Sequence, residues 1–255
     1  MEKGSIQMKV TFIIGHPAHV HIFKNVIRNL ESAGHEVNVL SRDRGIIPDL
    51  LDSYNVEYTN ISSKGEGVAS TALEVTKRDI LTFSHAVKCQ PDCIVGQFSP
   101  FAAHASILPG VDSLILEINE KPKYLSMFVS PFADEICTPT SFGQDRGEKQ
   151  YRYDGFHELA YLHPNWFNPD KERLREEGIE IDEDYYVLRF VSWDAYHDVG
   201  QQGISTSQRR ELVELLNDRG TVYISTEGEI DEELEQYEIS MPPDLMHDLL
   251  YYADL

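Results

Sequence analysis

Hydrophobic and polar positions change their period along the first part of the chain. Residues 9–15, KVTFIIG, form an apolar run of strand length that ends in a glycine, which is typical of a buried parallel strand. The next apolar residues follow the spacing of one helical face: Phe23, Val26, Ile27 and Leu30. Gly34 stands where a glycine commonly closes a helix. The pattern therefore predicts a strand, a loop and a helix.

The same alternation continues downstream. Further strands are predicted at residues 36–40, 57–61, 93–96, 113–118 and 135–138. Helices are predicted between them at residues 46–54, 68–87 and 101–108. Strands and helices that alternate across short loops require right-handed crossovers. We therefore expect an α/β fold with a parallel, doubly wound, Rossmann-like sheet that is covered by helices on both faces.

The pattern breaks within residues 143–169, which are rich in glycine, proline and aromatic residues and are typical of an interdomain connection. A second alternation follows, with strands at 185–191 and 221–225 and helices at 207–217, near 231–237 and at 245–252. Asp244 is the expected N-cap of the last helix. The predicted organisation is an N-terminal domain at 1–145, a connection at 146–170 and a C-terminal domain at 171–255. Because so few strands cannot complete a doubly wound domain, we expect the second domain to be truncated.

Composition narrows the function classes. The formal net charge of -21 comes from 43 acidic residues against 22 Lys and Arg, and it disfavours nucleic acid as a partner, because phosphate binding needs clustered cations. No apolar run approaches the roughly 20 residues of a membrane span, so we expect a cytoplasmic protein without a transmembrane segment. The three cysteines form no CxxC pair, which disfavours a disulfide framework and a structural zinc site.

Three histidines follow the first predicted strand, in the sequence GHPAHVHIF. In open α/β sheets, ligands bind at the carboxyl ends of strands, where helix N-termini attract anions. His16, His19 and His21 are therefore candidates for a general base or a phosphate-facing donor, since imidazole titrates near neutrality. Loop packing is the alternative for each of them. A metal site is less favoured, because no carboxylate or cysteine lies close in sequence.

Two later loops of the predicted N-terminal domain repeat this logic. Gln97 and Ser99 follow the fourth strand and precede a helix that begins at Pro100, so both are candidate ligand contacts, although Ser99 also suits ordinary capping. Glu117 ends the fifth strand. It is a candidate to orient a histidine or a sugar hydroxyl, with a solvated carboxylate as the alternative.

Hydroxyl-rich turns also follow the strands of the second domain. Ser192 and Trp193 come after its first strand, and Ser225, Thr226 and Glu227 after its second. Such turns suit diphosphate or ribose contacts, although plain turns look similar. Neither turn contains a GxGxxG fingerprint or a Walker A motif, so no cofactor is expected besides the substrate itself.

The opening of the chain resembles the nucleotide-sugar glycosyltransferases of the GT-B fold. Their first loop ends in Gly-His-Val at the start of helix 1, and Ala18-His19-Val20 takes this place here. His19 also keeps their spacing to the glycine that closes helix 1, here Gly34. The resemblance implies that His19 is the catalytic or acceptor-side residue.

The whole chain resembles a mainly archaeal family of uncharacterised GT-B-like proteins, through the segments HPAHVHIFKNVI, SPFAAHAS, PFADEICTP, YDGFHELAYLHP and LRFVSWDAYHD. Members of that family continue past the position of YYADL into a glycine-rich strand, turn and helix. UDP-N-acetylglucosamine 2-epimerases are similar in fold, and ILEINE around Glu117 resembles their strand-5 glutamate. Where they carry Gly-Asp-Thr, however, this chain has Gly96-Gln97-Phe98, so the acid is absent.

Residues and resemblance together favour a metal-independent glycosyltransferase of the hexosyltransferase type. His19, backed by Glu117, would deprotonate an acceptor hydroxyl while amides of the second domain stabilise the departing nucleoside diphosphate. A sugar-nucleotide 2-epimerase and a non-catalytic nucleotide-sugar binding protein are the alternatives. The expected partners are a nucleotide-sugar and an acceptor of unknown identity, and a homodimer is left open.

Overall fold

The structure is a computed structural model that describes residues 6–63, 68–120, 123–190, 204–226 and 230–254. The chain divides into two compact units, Met1–Phe167 and Asn168–Leu255. Each unit has its own hydrophobic core, and each is described by itself.

The described residues of the first unit form a seven-stranded sheet. Its strands are β1 (Lys9–Ile13), β2 (Glu36–Asp43), β3 (Thr59–Ser63), β4 (Cys93–Gln97), β5 (Asp112–Leu116), β6 (Glu135–Pro139) and β7 (Gln150–Tyr153). They lie in the order β3-β2-β1-β4-β5-β6-β7, and every neighbouring pair is parallel. The prediction of a parallel, doubly wound sheet is therefore confirmed.

Helices cover both faces of this sheet. They are α1 (Pro17–Ser32), α2 (Ile47–Ser53), α3 (Val68–Cys89), α4 (Pro100–Ala105), α5 (Lys123–Ser126) and α6 (Leu159–Leu162). One face carries a core that α1 and α2 share with the strands, including Phe12, Ile27 and Leu50. The other face carries a core with Ala86 of α3 and Ala102 of α4. Apolar residues on both faces explain why the strands read as continuous apolar runs.

Part of the expected connection belongs to the first sheet. β7 pairs with β6 at the sheet edge, and the chain then returns so that α6 packs on α1, where Asn25 Nδ2 donates to the Ala160 carbonyl at 2.8 Å. The sequence of β7, QYRY, is short and half-polar, because an edge strand is not buried on all sides. For this reason no apolar run reveals it.

The second unit is built on two parallel strands, β8 (Tyr185–Phe190) and β9 (Thr221–Thr226). The helices around them are α7 (Lys171–Glu176), α8 (Thr206–Asn217) and α9 (Met246–Tyr252), with 3-10 turns at Glu232–Tyr237 and Pro243–Leu245. Ser205 and Gln208 form a capping box at the start of α8. Tyr185 is fully buried, and its hydroxyl donates to the Leu249 carbonyl at 2.5 Å.

Two local predictions in this unit need correction. Asp244 does not cap α9, because a 3-10 turn places it before the N-cap residue Leu245, which makes no side-chain capping bond. The buried carboxylate of Asp244 instead accepts from Arg173 of α7 at 2.9 Å. The helix expected near 231–237 is a 3-10 helix, and α7 was not predicted although Asp170 caps it in the usual way.

Close packing around Gly220 gives a stability test. A Cβ at this position would lie 2.1 Å from the Asp184 carbonyl oxygen, so β8 and the turn before β9 would have to separate. We expect Gly220→Ala to lower the free energy of unfolding by about 3 kcal/mol, measured by urea denaturation. Gly178→Ala is the control: its Cβ meets open space, and only the left-handed φ of +79° opposes it, at a cost of about 1 kcal/mol. Equal effects of the two substitutions would contradict the packing argument.

Candidate functional site

The candidate site lies where the winding of the sheet reverses, between β1 and β4. The loop after β1 leads directly into α1. His16 is the N-cap of this helix, and its Nδ1 accepts from the Ala18 amide at 3.2 Å. Pro17 takes the first helical position, where its missing N–H costs nothing. Capping geometry at the end of β1 therefore positions the histidines that follow.

His19 occupies the first turn of α1 and is half-buried. The Gly15 amide donates to its Nδ1 at 3.3 Å. Burial, aided by the nearby charges of His16 and Arg78, lowers the pKa of His19 to about 3, while a hydrogen bond to the Ile13 backbone acts in the opposite direction. His19 is thus a neutral imidazole at physiological pH. Its backbone contacts are the amide of Gly15, which is a donor, and a hydrogen bond to Ile13.

Arg78 of α3 places a guanidinium against the same loop. Its side chain is 7% exposed, and its Nη2 lies 3.0 Å from the point where a Cβ on Gly15 would be. The guanidinium also lies over the Phe101 ring, 4.3 Å from the ring centroid. Its Nε is buried and has no hydrogen-bond partner among the described residues. Burial lowers the pKa of Arg78 to about 10, and the charge of Arg42 adds to this effect.

The carboxylate whose charge acts on Arg78 is already paired with another arginine. Glu74 is ion-paired with Arg42 at 2.7 Å and also accepts from the Ser62 hydroxyl at 3.2 Å. Glu74 acts on Arg78 through its charge, as Arg44 does with the opposite sign. One buried carboxylate therefore faces two buried guanidiniums, and the cluster keeps a positive charge.

The turn between β4 and α4 forms the other side of the switch point. Phe98 adopts a left-handed φ of +40°, a strained conformation for a bulky residue. Ser99 is buried and caps α4, since its Oγ accepts from the Ala102 amide at 3.2 Å. A Cβ on Gly96 would lie 2.6 Å from the Ser99 Cβ, so only glycine fits there. The capping role expected as the alternative for Ser99 is thus present, and the Oε1 of Gln97 is buried without a partner among the described residues.

His157 is a site residue that sequence reasoning missed. It lies in the segment that returns from β7 toward α1, it is 6% exposed, and its Nδ1 bonds the Tyr153 hydroxyl at 2.5 Å. Its Nε2 is buried and has no partner in the described part of the chain. Burial lowers the pKa of His157 to about 4, and its charge acts on His19. The sequence signal that could have revealed it is its place in YDGFHELAYLHP, a segment that supports the family resemblance but to which no role was assigned.

Two predicted catalytic residues have other partners. The Oε2 of Glu117 accepts from Arg146 Nε at 2.8 Å in a buried ion pair, and Glu117 is not among the groups whose charge acts on His19. His21 bonds the Tyr54 hydroxyl through Nδ1 at 3.3 Å, and its ring lies 5.4 Å from that of Tyr161. The structure therefore brings together His16, His19, Arg78 and His157, whereas the side chains of Glu117 and His21 contact Arg146 and Tyr54.

The predicted residues of the second unit are described only in part. Ser225 and Thr226 end β9, opposite Arg189 and Phe190 of β8 in the register. Ser192, Trp193 and Glu227 lie outside the described residues.

The described ranges contain neither a grouping of metal ligands nor a membrane-spanning helix. There, no three His, Cys, Asp or Glu side chains are grouped as a metal ion would need. No helix in those ranges combines the length and apolar character that crossing a membrane requires.

Sequence comparison assigns the chain to a family. The profile of the family described as "Protein of unknown function (DUF354)" matches residues 8–255. The chain belongs to this family. An uncharacterized protein of Methanocaldococcus jannaschii is 22% identical over 192 residues, covering 72% of this chain and 56% of that protein. The chain thus spans about half the length of this curated relative, and the predicted resemblance to an uncharacterised family with archaeal members is confirmed.

Solved structures show the fold. The UDP-GlcNAc 2-epimerase of M. jannaschii, in complex with UDP-GlcNAc and UDP, has a TM-score of 0.65 and 14% identity, covering 97% of this chain and 78% of that chain. The glycosyltransferase SnogD of Streptomyces nogalater has a TM-score of 0.55 and 12% identity, covering 97% and 75%. At such identities only the fold carries over. The predicted GT-B-like fold class is confirmed.

The buried ion pair gives a test of the role of Glu117. The side chains of Arg146 and Glu117 are 8% and 0% exposed, so Glu117→Gln leaves a buried cation without its counter-charge. We expect a loss of about 3 kcal/mol in the free energy of unfolding by urea denaturation. Asp182→Asn, which breaks an exposed pair with Arg175, should cause no measurable change. A Glu117→Gln protein of unchanged stability would contradict a structural role.

The two depressed imidazoles predict acid sensitivity. The pKa values of His19 and His157 in the folded protein lie below the 6.5 of the unfolded chain, so the unfolded state binds protons first as the pH falls. The stability contributed by these two neutral rings is fully present above pH 6.5 and is lost as the pH falls to about 4 for His157 and about 3 for His19. We expect His157→Gln to reduce this loss by up to about 1.4 kcal/mol per pH unit, measured by urea unfolding across that range. His163 is exposed, so His163→Gln should leave the pH dependence of the free energy of unfolding unchanged. If His157→Gln also leaves it unchanged, the prediction is wrong.

Proposed function

We propose that this protein is a metal-independent glycosyltransferase of the hexosyltransferase type that uses a nucleotide-sugar donor. The observation that carries the proposal is the placement of His19 at the switch point of a GT-B-like sheet, as a neutral imidazole in the first turn of α1. Related folds include a glycosyltransferase and an epimerase in complex with UDP-GlcNAc. The cytoplasmic location expected from the sequence is part of the proposal.

In the proposed reaction, the acceptor oxygen forms a bond to the anomeric carbon of the sugar while the bond from that carbon to the diphosphate oxygen breaks. The acceptor proton passes to the imidazole of His19. The lone pair that accepts this proton belongs to the ring nitrogen that does not donate to the Ile13 backbone, and where that nitrogen is Nδ1 the acceptor hydroxyl takes the place of the Gly15 amide. In the second unit, Ser225 and Thr226, with Ser192, Trp193 and Glu227, are the proposed contacts to the departing nucleoside diphosphate.

A sugar-nucleotide 2-epimerase is the second candidate, and the TM-score of 0.65 with such an enzyme favours it. Its chemistry moves a proton on and off carbon, which requires an acid or base at the sugar. At the end of β4 this chain places Gln97, whose amide has no acid-base function. Glu117, the other carboxylate suggested for this role, is paired with Arg146. These two observations rank transfer above epimerisation.

Replacing His19 tests the proposal. With a nucleotide-sugar and an acceptor that support turnover, His19→Gln should lower kcat by about 100-fold to 10,000-fold, since a general base contributes that much. Donor binding, measured by calorimetry with the nucleoside diphosphate, should not change. His163→Gln is the matched control, because this exposed histidine lies outside the switch point and should keep its activity.

Three results would overturn the proposal. Unchanged turnover in His19→Gln would remove the assigned base. A product epimerised at C2, with no sugar transferred, would establish the second candidate. Stabilisation of the protein by nucleotide-sugars without turnover of any of them would indicate a binding protein.

A further inference from the structure

We propose that the crevice at the switch point binds a negatively charged acceptor, a hydroxylated compound with a phosphate or carboxylate group that pairs with Arg78. That the anion is an acceptor rests on the proposed function, whereas the anion site itself rests on the position and contacts of Arg78. The sequence pattern did not single out Arg78, because this residue lies within the predicted long helix at residues 68–87.

The position of Arg78 suits a ligand better than a structural partner. Arg78 as a residue is more than nine-tenths buried, and its guanidinium reaches the loop between β1 and α1, where it lies against Gly15. Among the described residues it has no ion-pair or hydrogen-bond partner, and its Nε is buried. A buried arginine normally pairs its planar fork with a carboxylate or phosphate. The guanidinium of Arg78 can therefore pair with the carboxylate or phosphate of a ligand.

The surroundings of Arg78 reinforce the positive charge. Arg42 and Arg44 lie close enough for their charges to act on it, and Glu74 already holds Arg42. The positive end of the dipole of α1, a helix of 16 residues, meets the same loop. A chain with a net charge of -21 therefore concentrates positive charge at one crevice.

A second unpartnered group lies nearby. The Nε2 of His157 is buried and has no partner among the described residues, although its Nδ1 is held by Tyr153. The segment that carries His157 packs on α1, the helix of His19, and the two imidazoles influence each other's protonation. Arg78 supplies a charged fork and His157 supplies one further polar atom, and this combination suits an anionic group with a neighbouring oxygen.

The anion also completes the chemistry proposed for His19. The positive charges that His16, Arg78 and His157 can carry each disfavour the protonated ring of His19, and Arg78 carries its charge at physiological pH. Among the described residues, no carboxylate is among the groups that act on His19, in contrast to a histidine that is paired with one. An acceptor with its own negative charge, neutralising Arg78, raises the pKa of His19 from about 3 and makes it a better base.

The test is a titration without donor, observed through the imidazole resonances of the whole protein by NMR. Glycerol phosphate, glycerate and uncharged glycerol are compared at equal ionic strength. We expect one or both anions to shift the signals of His19 and His157 saturably and to raise the pKa of His19, whereas glycerol does neither. Arg78→Gln should weaken binding of the anion by at least about tenfold, as loss of a charge-assisted pair does.

Lys77→Gln is the matched control for Arg78→Gln. Lys77 is the preceding residue of α3, it is exposed, and its replacement removes the same unit of charge. Binding should survive in Lys77→Gln. Equal losses of anion affinity in the two variants would show that only the net charge matters, and would overturn the assignment of the site to Arg78.

Other results would also overturn it. If neither anion binds, or if glycerol binds equally well, the site has no anionic ligand. If UDP shifts the same signals in an Arg78-dependent manner and neither glycerol derivative does, the anion belongs to the donor. None of these measurements depends on turnover, so anion binding and sugar transfer can each be absent without the other.

A second variant separates binding from folding. If the role of Arg78 is to bind a ligand, its charge does not stabilise the free protein. Replacing this buried cation, which has no ion pair among the described residues, by methionine should then leave the thermal midpoint unchanged or raise it by a few degrees. The same Arg78→Met protein should not bind the anions. A midpoint lowered by more than about 4 °C would show that Arg78 stabilises the fold, and would overturn its assignment to a ligand.

Discussion

The chemistry of the first unit depends on one constraint, the reversal of winding between β1 and β4. Right-handed crossovers place helices on alternate faces of the sheet on either side of this point, so the loops after the two strands diverge and leave a crevice. Polar groups that would be costly inside a continuous core are tolerated there. Half-buried His19, buried Arg78 and buried His157 all lie near this edge.

The burial of these groups has one electrostatic consequence. Desolvation disfavours the charged form of an imidazole, so His19 and His157 remain neutral at physiological pH. Arginine cannot respond in this way at physiological pH, and Arg78 keeps its charge in a poorly hydrated place. The crevice thus combines neutral hydrogen-bonding rings with one fixed cation. Such a combination is suited to recognising charge while leaving a ring available for proton transfer.

Sequence reasoning reached the periodic parts of the fold and the loops that follow buried strands. The apolar run of β1 and the helical spacing of α1 sufficed to place His16 and His19, because burial on both faces leaves a clear pattern. It failed for β7, whose edge position leaves a half-polar sequence, and for Asp244, whose side chain was drawn into a tertiary ion pair. Arg78 and His157 were missed for a related reason: their roles come from contacts between distant segments, which no local pattern records.

The return segment after β7 has a consequence for how the site comes into being. His19 belongs to the first helix of the unit, whereas His157 is supplied almost at its end, after the sheet has gained its last strand. During synthesis, the six preceding strands can assemble while the imidazole of His19 still faces water. The crevice is therefore complete only once the return segment has packed on α1, after the edge strand β7 in the order of synthesis.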